Sequence, residues 1–84
     1  MARMSVPPAD VQQTVMGVLS GLGKLREDFT SDLSLYAGGV GLDSLEIAEL
    51  SAALEAAHGS DPFGAGLMPR TLDDILAFYA AAGT

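Results

Sequence analysis

Apolar residues recur along much of this chain at intervals of three and four, the spacing that lines one face of an α-helix. Val11, Val15, Val18, Leu19 and Leu22 form the first such series. Pro7 and Pro8 stand before it, Asp10 and Gln13 have the spacing of a capping box, and Gly21 and Gly23 mark its end. Gly17 inside it costs about 1 kcal/mol relative to alanine. A second helix is predicted over residues 44–58. Asp43 and Ser44 are both good N-caps, Glu46 and Glu49 suit the positive helix end, and Gly59 supplies a terminating residue. A third runs from Leu72 to about Ala81, with Leu72, Ile75, Leu76 and Tyr79 on one face. Thr71-Leu72-Asp73-Asp74 at its start resembles a capping box.

Between the first two helices, residues 23–43 show no long helical pattern. Leu25, Phe29, Leu33, Leu35, Tyr36, Val40 and Leu42 are spread along this stretch. Connections of this length in small domains are usually functional or disordered. The apolar residues favour an ordered loop pinned to the core, with one helical turn near residues 31–35. After the second helix, Ser60-Asp61-Pro62-Phe63-Gly64-Ala65-Gly66 is turn-rich, and a short fourth helix is expected over 63–68. No strand pattern competes. The expected fold is all-α: a small bundle of three main helices plus a short fourth, with a long loop between the first two. Val15, Leu19, Leu22, Phe29, Leu50, Leu54, Leu72, Ile75 and Leu76 are its expected core. The 84 residues make one domain, 1–84, with a mobile N-terminus over 1–8.

The second helix differs from the others in being apolar on two opposite sides. Ile47, Leu50, Leu54 and Ala57 share one face, and Leu45, Ala48, Ala52 and Ala56 the opposite one. Glu46, Glu49 and Glu55 lie between or beside these stripes. One stripe serves the core. In so short a chain little remains to cover the other, so Leu45, Glu46, Ala48, Glu49, Ala52 and Glu55 are expected to form a partner-binding face.

Charge sharpens this expectation. The formal net charge is −7, and the only bases are Arg3, Lys24, Arg26 and Arg70. Residues 27–68 contain eight acids and no Lys or Arg. Nucleic-acid binding and attraction to anionic membranes require the opposite sign. A partner with a basic patch complements such a field; a solvated acidic surface is the plainer alternative. There is no cysteine, and therefore no disulfide or thiolate metal site. No apolar run approaches the length of a membrane span and no secretory signal core is evident, so a cytoplasmic monomer is expected.

Ser44 is the candidate centre of chemistry. As a nucleophile in its own right it would need an adjacent base. The one histidine, His58, is fourteen positions along the same helix, about 21 Å away at 1.5 Å per residue. Leu42 and Glu46 stand where a nucleophile elbow has glycine. Gly38-Gly39-Val40-Gly41 lacks the Gly-Lys-Ser/Thr ending of a phosphate loop. Glu55 and His58 have the spacing of half a di-iron motif, but no second histidine exists to complete it. No catalytic or metal residue is therefore assigned, and the chain is not expected to be an enzyme. A serine at a helix start without a base suits either capping or modification by another enzyme.

Gly41-Leu42-Asp43-Ser44-Leu45, set between a long loop and an acidic two-faced helix, resembles the attachment motif of acyl carrier proteins. The likeness extends from about Val11 to Tyr79. It implies that Ser44 receives a 4′-phosphopantetheine arm derived from coenzyme A. It also implies that Asp43 helps bind the metal ion of the modifying phosphopantetheinyl transferase. The arm would carry acyl or polyketide intermediates as thioesters between acyltransferase, ligase and synthase partners bearing basic docking patches. The Ala37-Gly38-Gly39-Val40 extension, His58 and the alanine-rich stripe depart from the fatty-acid type and point to a polyketide or other specialised-metabolite pathway. A peptidyl or aminoacyl carrier, and a helical interaction domain in which Ser44 is only a cap, are the alternatives.

Overall fold

The computed structural model describes residues 6–82. Its three helices are α1 (Pro8–Gly21), α2 (Ser44–His58) and α3 (Leu72–Ala82), and no strand occurs among the described residues. α1 packs against both α2 and α3. Val11, Val15 and Leu19 of α1, Leu50 and Leu54 of α2, and Leu72, Ile75 and Tyr79 of α3 close a single core. Fully burying one such aliphatic side chain stabilises the fold by roughly 1.5–3 kcal/mol.

α1 starts three residues earlier than the capping-box spacing suggests. Pro7 is the N-cap residue and Pro8 opens the helix, where proline's missing N–H costs nothing. The Pro7 carbonyl accepts from the backbone N–H of Asp10 and of Val11. Asp10 thus lies in the first turn, so its pairing with Gln13 as a capping box does not form. At the other end, the N–H of Gly23 reaches the Ser20 carbonyl and that of Lys24 the Leu19 carbonyl, the paired bonds of a Schellman stop. Of the mobile N-terminus expected over 1–8, residues 1–5 lie outside the described residues, while Val6 packs against the core.

Residues 22–43 join α1 to α2 without helix, and they supply three core residues that the helical pattern does not show: Leu35, Val40 and Leu42. The loop folds back on itself, with Val40 N–H donating to Ser34 O and Leu42 N–H to Leu35 O, both at 2.8 Å. Leu35 N–H reaches Arg70 O, and Asp73 N–H reaches Ser31 O, tying the loop to the start of α3. Gly39 lies so close to Ser34 that a Cβ there would collide with the Ser34 carbonyl. Phe29, Leu33 and Tyr36 are partly buried against the core, whereas Leu25 is exposed and pins nothing. Of the expected core, Leu22, Phe29 and Leu76 are also only partly buried.

A hydrogen-bonded turn over 62–66 stands where a short fourth helix is expected. Ala65 N–H donates to Asp61 O and Leu67 N–H to Pro62 O. The buried Asp61 carboxylate accepts from Ser51 Oγ at 2.9 Å and from Gly64 N–H at 2.8 Å. This holds the turn on α2, while Gly64 and Gly66 disfavour helix propagation beyond it. Thr71 Oγ1 caps α3 by accepting from Asp74 N–H. Asp74 Oδ2 reaches back to Arg70 N–H rather than to Thr71, as the box spacing would have it.

Candidate functional site

The junction between the loop and α2 is built by Asp43. It is the N-cap of α2, and its Oδ1 accepts from Glu46 N–H at 2.8 Å. Glu46 Oε1 reciprocates by accepting from Asp43 N–H at 3.0 Å, which completes a capping box. The helix ends at Gly59, left-handed at φ 82°.

With Asp43 as the cap, Ser44 is the first residue inside the helix. Its side chain is exposed, and its hydroxyl makes no hydrogen bond to another described residue. The backbone N–H groups of Ser44 and Leu45 likewise meet no acceptor among the described residues, as is usual for a first helical turn. A phosphodiester on Ser44 Oγ would have these two donors and the positive end of α2 beside it. The residues present therefore fit a phosphate-linked arm. Asp43 is exposed and spends only Oδ1 on the cap, leaving Oδ2 available to a cation.

The two stripes of α2 have different surroundings. Leu50 and Leu54 are fully buried and Ile47 half-buried, although Ala57, on the same stripe, faces solvent. On the opposite stripe Leu45 is 69% exposed, and Ala48, Ala52 and Ala56 are exposed with it. Glu49 and Glu55 flank this stripe and are exposed. Glu46 is not part of it. Its side chain, 16% exposed, faces the end of α1 and pairs with Lys24 Nζ at 2.6 Å. The lysine bond first, then that from Asp43 N–H, holds the Glu46 carboxyl below its ordinary 4.5.

His58 lies at the far end of α2 from Ser44. Its Nε2 is 3.0 Å from Thr14 Oγ1, and its ring meets Tyr79 edge-on with centroids 5.6 Å apart. It closes the end of the α1–α2 packing. Among the described residues no group of three or more His, Cys, Asp or Glu side chains is placed to hold a metal ion, and no helix is long and apolar enough to cross a membrane.

Sequence reasoning misses two residues that shape the site. Lys24 Nζ also donates to Gly41 O at 2.9 Å, and Arg26 Nη1 donates to Gly39 O at 2.7 Å. Their partners lie 17 and 13 positions away, beyond any helical or turn spacing. The one available signal is that they are the last bases before the base-free span. In comparisons with known proteins, the chain matches no family model and no curated protein.

Proposed function

We propose that this chain is an acyl carrier protein, with Ser44 as the attachment point of a 4′-phosphopantetheine arm. One observation carries the reading: the Ser44 hydroxyl is exposed and unbonded at the start of α2 because Asp43 has taken the cap. A serine there for capping alone would be bonded to the first turn. In the loading step, Ser44 Oγ forms a bond to the phosphorus that bears the pantetheine arm in coenzyme A. The pyrophosphate link breaks, the adenosine bisphosphate half leaves, and the hydroxyl proton passes to a base on the transferase. Asp43 Oδ2 would meet the transferase's metal ion. The arm's thiol then holds acyl or polyketide cargo as a thioester. The exposed stripe of Leu45, Ala48 and Ala52, edged by Glu49 and Glu55, docks partners with basic patches, and the carrier itself catalyses nothing. It works as a cytoplasmic monomer in a specialised-metabolite pathway.

Mass spectrometry after incubation with coenzyme A and a broad-specificity phosphopantetheinyl transferase tests this. One phosphopantetheine adds to the wild type and none to Ser44→Ala, whose helical circular dichroism is unchanged. A wild type that stays unmodified, or loading that persists in the variant, overturns the assignment. The unmodified outcome would favour a helical interaction domain that docks through the same exposed stripe.

A further inference from the structure

Lys24 serves the loop–helix junction rather than the charge of the surface. Its ammonium is 2.9 Å from Gly41 O and 2.6 Å from Glu46 Oε1. That oxygen is the one that receives Asp43 N–H and completes the cap. A single cation therefore joins the end of α1, the last glycine before the site and the first turn of α2. The side chains of the pair are 32% and 16% exposed, so water competes only partly for them, and hydrogen bonds to charged groups are the stronger ones. The need is local. Residues 37–41 include Gly38, Gly39 and Gly41, and glycine loses the most conformational freedom on being fixed. The Asp43 and Glu46 carboxylates repel each other across the cap, and the ammonium offsets that repulsion.

We propose that Lys24 is a positioning residue for Ser44. It holds residues 41–44 in the conformation in which the hydroxyl is offered to the modifying enzyme. The inference rests on the carrier reading of Ser44. When only part of the population holds the competent conformation, apparent affinity falls by that fraction while the step in the bound complex is unaltered. Lys24→Met should therefore raise KM for the carrier in transferase loading about tenfold and leave kcat unchanged. The sign is informative. Removing a cation makes the chain more acidic, so simple attraction to a basic partner would lower KM instead. Lys24→Arg keeps donors within reach of both oxygens and should restore KM. Glu46→Gln keeps the acceptor for Asp43 N–H but loses the ion pair, and should raise KM by a smaller factor.

The experiment is steady-state loading of the full chain and these three variants with coenzyme A and a broad-specificity transferase, alongside amide hydrogen exchange. In Lys24→Met, exchange at the hydrogen-bonded amides of Leu42 and Asp43 should quicken while Leu50 and Leu54 stay protected. A loaded wild type with unchanged or lowered KM in Lys24→Met overturns the role of Lys24 alone. So does a raised KM accompanied by equal loss of protection at Leu50 and Leu54. If Lys24→Met does not fold, Lys24→Gln takes its place, and a wild-type or lowered KM there overturns the proposal. A wild type that is never loaded removes the carrier reading and this inference together.

Discussion

Tyr79 shows how a single side chain acquires a property that its sequence position does not announce. It is 3% exposed, its hydroxyl donates to Ser60 O at 2.6 Å, and its ring meets both His58 and Phe78 edge-on. Burial, then the Asp61 carboxylate, push its pKa up from 10.0 to about 12. The folded state thus holds the phenolic proton more tightly than the unfolded chain. The resulting stability is complete below the unfolded value and is lost as pH rises from 10 toward about 12. Denaturation midpoints measured across that range should fall more steeply in the wild type than in Tyr79→Phe, which has no proton to lose. Parallel declines would mean that the hydroxyl is not protected. Gly39 makes a similar point in backbone terms. Its role is space for the Ser34 carbonyl, and only the folded loop brings that carbonyl near.

At the scale of the element, α2 is the informative helix. Its bounds and its Gly59 stop follow from local chemistry and were legible in the residues themselves, whereas both Asp43 and Ser44 were eligible as N-cap and the folded helix uses Asp43. Its two apolar sides were legible too. Which side faces inward is a matter of packing. Leu54 is fully buried and Leu45 is 69% exposed, so the two leucines should respond differently to the same truncation. Leu54→Ala should cost about 2–5 kcal/mol, from lost burial and the cavity left behind. Leu45→Ala should change stability by less than about 0.5 kcal/mol, as surface substitutions usually do. Chemical denaturation of the two variants side by side checks this. Comparable large losses would mean that Leu45 is covered in solution. Glu46 shows where helical periodicity falls short. The stripe arithmetic groups it with Glu49 and Glu55, but its carboxylate is turned to Lys24 and the Asp43 N–H.

For the whole molecule, the distribution of charge matters more than its sum. Two of the four bases in the sequence, Lys24 and Arg26, are engaged with glycine carbonyls and acids of the same chain. The exposed acids Glu49 and Glu55 beside the α2 stripe carry no ion pair among the described residues. Under the carrier reading, association with a basic transferase should slow as salt rises. Ions at about 0.15 M screen beyond roughly 8 Å. Stopped-flow association rates for the wild type and for a Glu49→Lys, Glu55→Lys variant check this, and rates indifferent to both salt and charge reversal would leave the acids a solubility role. Three helices and their stops could be read from the residues alone, because caps and helical periodicity act over three or four residues, but the choice of Asp43 over Ser44 as the cap of α2 could not. Tertiary structure decided that Leu35, Val40 and Leu42 of the long loop enter the core, that residues 62–66 remain a turn, and that Lys24 meets Gly41 and Glu46. Those contacts join residues well separated along the chain, and their energy is available only once the chain has closed on itself.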